Sequence, residues 1–405
     1  MDGGNLSQTR LTWFYPTSMS PRRKAVLKQS WTRSFSKYFA RSNGLRCMTE
    51  SAAPIAYYFN SNANAASLVN IDMGGGTTDV AFAINQQLQC VSSFRFATNV
   101  LFEDAYAPLN QTNGIIDSYR ASMVSILQGR GLQELNLVAQ SGSNATPSNM
   151  ASFLFSLKDN SLIRKAKIDQ SVVDFEAILR RDDSFKIVFI IYFASIIYHV
   201  AQIVKVKGLQ EPRHIAFSGN GSKIVRVLST DNGILSQFCK IIFEKVLNRP
   251  YRGNLDILGL GQDASPKEVT CKGGIVSPDG QDYDAEAVIL LGDGSGSLAN
   301  PDLTYAQLGE SAEIKGKIVN EVKAFFDYVL DGLGGKFDYD NNFGVTEGSL
   351  TKAREICYKD LEIYLDKGIS QHMDVALGVS NKLEETAFFY PIKGVINELS
   401  KALQH

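Results

Sequence analysis

Three consecutive glycines, two threonines and two aspartates fall within eight residues of this chain, Asp72-Met-Gly-Gly-Gly-Thr-Thr-Asp79. Glycine has no Cβ and accepts positive φ, so its backbone N–H groups can approach an anion closely. Asp72 and Asp79 bracket the glycines. A phosphate would be repelled by both acids unless a cation lay between, so the set reads as a seat for Mg²⁺ and a polyphosphate. A glycine triplet alone is weak evidence; the weight comes from finding triplet, threonines and acids together between apolar flanks. The plainer alternative is a glycine-rich hairpin with flanking acids.

The elements around this loop read as strand, hairpin and strand over residues 67–83. A second unit of related form lies downstream. His214-Ile-Ala-Phe217 reads as a short strand ending in Ser218-Gly-Asn-Gly-Ser-Lys223, after which a helix begins with Ile224, Val225 and Leu228 on its apolar side. The N-terminus of that helix would accept an anion or a nucleotide edge; a tight strand-to-helix turn is the alternative. Upstream, Leu11–Tyr15 reads as a strand, and Ser20-Pro21 as an N-cap followed by proline at the first helical position. That helix places Val26, Leu27, Trp31, Phe35 and Phe39 at 3–4 spacing. Residues 49–59 form a small-residue helix, Asn60 to Asn64 a loop, and Leu88–Phe96 another strand. Residues 100–180 are mainly helical, broken at Gly129-Arg-Gly131 and at 142–149. Helices dominate again beyond about residue 280, where Ile314–Leu330 presents an apolar face at 318, 322, 325, 326 and 329.

Composition narrows the function classes. The 405 residues hold material for two or three domains, and 41 Lys/Arg against 42 Asp/Glu leave a net charge of −1. That balance gives no global reason to expect nucleic acid as a partner. Charge is uneven, however: residues 1–50 carry nine Lys/Arg and two acids, which reads as one basic amphipathic helix face. Five scattered cysteines without a CxxC argue against a disulfide framework and for a reducing, cytoplasmic setting. Four histidines show no metal-ligand spacing. Met1-Asp-Gly-Gly lacks the basic and apolar regions of a signal peptide. Ile187–Val204 has 18 residues without a formal charge, but its Tyr192, Ser195, Tyr198, His199 and Gln202 favour a helix buried against a sheet over a membrane span.

The order of these motifs resembles the actin-like ATPase superfamily, which includes the seventy-kilodalton heat-shock chaperones, the bacterial cell-shape and segregation actins, and the sugar kinases. The likeness covers roughly residues 10–275. It rests on the strand-proline-helix start, Thr49-Glu-Ser-Ala-Ala-Pro-Ile-Ala-Tyr-Tyr58, the glycine loop, and Phe217-Ser-Gly-Asn-Gly-Ser-Lys-Ile224. The resemblance implies that Gly74, Gly75, Gly76 and Thr77, with Thr78 beside them, cradle the β- and γ-phosphates of ATP. Asp72 would hold Mg²⁺ through water, while Asp79 and Glu50 orient the attacking water. Gly219, Asn220, Gly221 and Ser222 would pass close to the adenosine, with Lys223 beside the base. Asp263–Gly274 is similar to the second connecting helix, whose small residues let two lobes hinge. Glu103 and Asp104 lie where chaperones carry an acidic pair, although Val100-Leu-Phe102 replaces the glycine turn before it.

One departure matters. The family's first phosphate motif, an Asp-x-Gly-Thr hairpin upstream of the first connection, has no counterpart here, which predicts either a piece of a larger protein or a divergent member. Ala287–Ser297, a strand followed by Asp293 and a Gly/Ser loop, is a stand-in for that hairpin or a surface turn. Asp338–Asn342 opens like a calcium loop, but Phe343 and Ser349 stand where that signature needs Gly and Glu. The expected architecture is therefore α/β. Residues 1–66 make a partial first lobe. Residues 67–275 make a ribonuclease H-like second lobe with mixed sheet, flanking helices and a helical insertion near 100–185. Residues 276–405 make a mostly helical extension. The expected function is a Mg-ATP-dependent conformational switch, taking ATP or ADP, with protein partners or self-assembly and no membrane span. A polymerising or non-catalytic scaffold is the alternative, and a small-molecule kinase the third.

Overall fold

A computed structural model describes residues 9–17, 19, 21–39, 44–61, 66–106, 114–140, 146–260, 266–277, 285–299, 302–374 and 379–403. The first part holds β1 (Leu11–Tyr15), α1 (Pro21–Tyr38), β2 (Leu45–Thr49) and α2 (Ala52–Ser61). The hairpin strands follow as β3 (Ser67–Met73), β4 (Thr78–Ile84) and β5 (Gln87–Phe94). An all-helical stretch comes next: α3 (Gly114–Gly129), α4 (Gln133–Gln140), α5 (Pro147–Ser156), α6 (Ser161–Lys165), α7 (Phe175–Arg181) and α8 (Lys186–Val206). Then come β6 (His214–Ser218), α9 (Asn232–Leu247), β7 (Asp256–Leu258), α10 (Val269–Val276) and β8 (Glu286–Ala287). The last third carries α11 (Tyr305–Glu310), α12 (Ala312–Leu330), the single turn α13 (Gly332–Gly335), α14 (Tyr339–Phe343), α15 (Glu347–Ile356) and α16 (Leu361–Ser370). It ends with β9 (Met373–Asp374), β10 (Val379–Ser380) and α17 (Phe389–Ala402).

The central sheet has six strands in the order β7-β6-β3-β4-β5-β8. β4 runs antiparallel to both β3 and β5, whereas β6 lies parallel to β3, β7 parallel to β6 and β8 parallel to β5. β3 is buried on both faces, which explains its near-continuous apolar run. On one face Val69, Ile71, Val80 and Phe82 pack into a large core with α8 and the C-terminal helices. On the other, Leu68, Ala81, Ala83 and Ala216 meet Ile55, Tyr58 and Phe59 of α2 and Val269 of α10.

α8 spans 21 residues, and 89% of its most apolar window lies inside the fold. By length and composition it could cross a membrane; here it is packed between the sheet and the helices of the last third. Its Tyr192, Ser195, Tyr198 and His199 sit in that core, with Tyr198 bonded to Glu321 of α12 at 2.8 Å. One contiguous core runs from Val69 to Leu403, so helices α11 to α17 pack with β3, β4, β5 and α8 in a core that takes none of the described residues before Val69.

The N-terminal part is a separate two-stranded parallel sheet, β1 with β2. It docks on α10, where Gly274 faces the Phe14 ring and Arg46 donates to the Gly274 carbonyl at 2.8 Å. α10 in turn crosses α2 so closely that a Cβ on Gly273 would stand 1.8 Å from the Ala53 carbonyl oxygen. Residues 263–265 of the expected connecting segment, the Ser20 cap, and residues 62–64 of the expected Asn60–Asn64 loop lie outside the described residues; α2 itself continues through Ser61.

Local chemistry explains several helix starts. Thr146, Asp231 and Ser311 cap α5, α9 and α12 by accepting from the N–H groups of Asn149, Gly233 and Ile314. Asp338 likewise caps α14, so the calcium-like acidic run is a helix start, and Gly344 ends it at φ 72°. Near Asp293 the strand is shorter than the sequence pattern implied. Only Glu286–Ala287 pairs with β5, and a turn closed by Leu290 and Leu298 follows. Asp293 Oδ1 accepts from the Ser295 N–H at 3.1 Å and its hydroxyl at 2.6 Å, tying that carboxylate into the turn.

Candidate functional site

Asp72 and Asp79 are exact cross-strand partners at the end of the β3–β4 hairpin, and each has a serine opposite it on its outer neighbour: Ser218 on β6 and Ser93 on β5. Burial is the main influence on both carboxyls and pushes each up to about 6; the serine hydroxyls oppose that rise, and Glu50 adds to it. Asp72 also raises Asp79 directly. Among the described residues no cation counts with the groups that shift either acid. Glu50, exposed between β2 and α2, has its N–H fixed to the Tyr15 carbonyl at 3.0 Å. The three expected acids therefore act on one another across the sheet end.

The glycine loop departs from expectation at its first residue. Gly74 N–H donates to Thr77 O at 2.9 Å, closing the hairpin, so it is not free for a ligand. Gly74 O accepts from Thr98 N at 3.3 Å and Thr98 Oγ1 at 2.9 Å, and Gly75 O accepts from Asn99 N at 2.8 Å. A planar trans peptide points its C=O and N–H in opposite directions. The amides of Gly75 and Gly76 are therefore turned away from the 98–99 segment, and both residues are exposed along with Thr77. Thr78 is a second correction: it is fully buried and its hydroxyl donates to Phe96 O at 2.7 Å, which removes it from ligand contact.

The second motif leans on the first. Gly219 has φ +76°, and a Cβ there would lie 2.4 Å from both Asp72 Oδ1 and Met73 O; one on Gly221 would lie 2.6 Å from Gly74 O. Only glycine lets these two loops touch. The expected α-helix after this turn is instead a 3-10 segment, Asn220–Val227, and the α-helix starts only at Asn232. Ser222 shows why: it is buried and its hydroxyl bonds back to Gly219 O at 2.7 Å, a local bond that competes with α-helical pairing. Ser222 thus serves the turn, whereas Asn220 and Lys223 are exposed. Glu103 and Asp104 are also structural. Glu103 Oε1 accepts from Ser148 N at 3.2 Å, while Asp104 Oδ2 accepts from Asn397 at 2.8 Å and Lys401 at 3.1 Å on α17.

A cleft of about 480 Å³ opens at this edge, lined among others by Gly75, Asn99, Phe155, Lys158, Asn220 and Lys223. It runs into a hollow of about 750 Å³ that shares Lys158 and Lys223 and adds Arg180, Arg226 and Gly259. Gly75, Gly221 and Gly259 all lie just beyond the C-terminal ends of β3, β6 and β7, the edge at which open α/β sheets bind ligands. Lys158 and Arg180 share Glu176, at 3.2 and 2.7 Å. These insertion residues escaped the sequence reading, since only the i,i+4 spacing of Glu176 and Arg180 was visible, and that marks any solvated helix.

Among the described residues no group of three or more His, Cys, Asp or Glu side chains could hold a metal ion by itself. The Asp72–Asp79 pair fits a weaker arrangement, in which Mg²⁺ keeps most of its waters and takes the rest from phosphate oxygens. Two mutually repelling, partly buried acids without a cation are chemically suited to such an ion. No family model matches the chain, and no curated protein matches it.

Proposed function

We propose that this protein binds Mg-ATP at the β3–β4 loop and uses it as a conformational switch, in the manner of an actin-like ATPase. The observation that carries the reading is the pair of amides at Gly75 and Gly76, turned away from residues 98–99 in the loop that joins two facing aspartates, with Gly75 on the wall of a cleft. A mixed sheet in which an antiparallel meander is extended by parallel strands is compatible with a ribonuclease H-like lobe. In this reading the amides of Gly75 and Gly76 hold phosphate oxygens, and Asn220 and Lys223 face the nucleoside end. Asp72 would hold Mg²⁺ through water, the ion supplying charge neutralisation at the phosphates. Asp79, its carboxyl raised to about 6 by burial first and then by Asp72 and Glu50, can accept a proton from water at neutral pH.

Calorimetric titration of the full chain with ATP, with and without Mg²⁺, tests the reading. Magnesium-dependent uptake is expected, and Asp72→Ala should remove the magnesium dependence. Absence of uptake by the unaltered protein would overturn it.

Charge distribution favours self-assembly as a second reading. α1 carries six Lys/Arg and no acid, with Val26 60% and Tyr38 65% exposed. Residues 276–405 hold 22 acidic against 11 basic residues. A basic head and an acidic tail suit head-to-tail association. Sedimentation at low and high salt decides: salt-sensitive oligomers support it, and a monomer at both removes it.

A further inference from the structure

The chain just after β5 joins two buried places. At one end Arg95 is held by a cage from the last third of the molecule. Its backbone N–H donates to Glu385 Oε2, its Nη1 lies 2.8 Å from His372 Nδ1, and its Nη2 donates to Glu384 at 3.3 Å. Glu385 also accepts from Tyr390 Oη at 3.1 Å, and His372 Nε2 lies 3.1 Å from it. The His372 ring stacks on Tyr305 and Tyr390, with centroids 4.5 and 5.6 Å away. An arginine donating to Nδ1 leaves the imidazole proton on Nε2, aimed at Glu385. Burial alone would raise the Glu385 carboxyl, but His372, Lys393 and the Arg95 N–H outweigh it and hold the acid ionised.

At the other end the same segment holds the glycine loop. Phe96 O accepts from Thr78 and its ring stacks 4.4 Å from Phe389 of α17; Thr98 reaches Gly74 O and Asn99 reaches Gly75 O. Five residues, 95 to 99, connect the two ends, and so short a run spans at most about 17 Å.

We infer that Arg95 and Glu385 are positioning residues for the glycine loop: the C-terminal cage, acting through residues 95–99, sets where the Gly75 and Gly76 amides stand. The functional weight of this rests on the nucleotide reading, whereas the mechanical claim does not.

Amide hydrogen exchange, followed by NMR on the full chain without ligand, tests it at Thr98 and Asn99. Glu385→Gln keeps the volume and removes the charge that holds the Arg95 N–H. Exchange at both amides should rise about tenfold while α9 amides stay unchanged. Arg95→Met alters a half-exposed side chain, and its fold is safer; it should give a rise of roughly threefold, with Arg95→Lys in between. Mg-ATP affinity should weaken in the same order. Unchanged exchange at Thr98 and Asn99, or equal acceleration across α9, overturns the inference. Accelerated loop exchange in a protein whose unaltered form takes up no Mg-ATP leaves the positioning intact and sinks the nucleotide reading instead.

Discussion

Asp72 and Asp79 tie stability and ligand uptake to pH in opposite directions. Each carboxyl rises from 3.8 to about 6 on folding, so the folded protein binds these protons more tightly than the unfolded chain does. Their contribution is fully present below about pH 4 and is lost as pH climbs through 6, on the order of 3 kcal/mol per group. Urea melts at pH 4, 5, 6 and 7 should show that loss, and Asp72→Asn with Asp79→Asn should flatten it. Magnesium-dependent ATP affinity should instead rise over the same window, since both acids must ionise to meet a cation. Gly219→Ala probes the same atoms sterically. Its Cβ would enter the space of Asp72 Oδ1 and Met73 O at positive φ, so a loss of about 2–4 kcal/mol is expected by denaturant unfolding.

Among the elements, the α2–α10 crossing is the tightest contact. Gly273→Ala puts a methyl 1.8 Å from the Ala53 carbonyl oxygen and must push the two helices apart. A fall in melting temperature of several degrees is expected by calorimetry, larger than for Gly76→Ala, where a Cβ meets nothing within 4 Å. Elements were legible where one local rule dominates. β3 and β4 show as apolar runs around a glycine loop, and α12 shows as a 3–4 stripe. The 3-10 segment at 220–227 was not legible, because a single buried serine bond decides it. Nor was the occupied amide of Gly74, which depends on hairpin closure rather than residue type. Lys158 and Lys223 stand 65 positions apart, and the packing of α7 on the 3-10 segment, with α5 against α7, brings them to one cleft.

At the scale of the whole molecule, the C-terminal helix belongs to the core. Phe388, Phe389, Ile392, Val395, Ile396 and Leu399 are all buried, and Phe389 stacks on both Phe94 and Phe96. A chain ending at residue 387 should therefore lose cooperative unfolding in a thermal melt, whereas a protein whose last third were a detachable appendage would keep it. The sequence pattern had marked 276–405 as an extension, because nothing in a helical stripe says which sheet it will cover.

That arrangement has a consequence for the newborn protein. α8 emerges from the ribosome after β3, β4 and β5 but before β6, β7 and β8, and Phe388 and Phe389, which cover Tyr198 and His199, follow roughly 180 residues later. At ordinary translation speeds, on the order of 10–40 s pass before that greasy rod is sheathed. Throughout that wait the nascent chain carries a 21-residue stretch with the length and apolar composition of a membrane span. Prematurely stopped messages should accordingly yield sticky products, and the burden of quality control should fall on the codons from Phe388 onward.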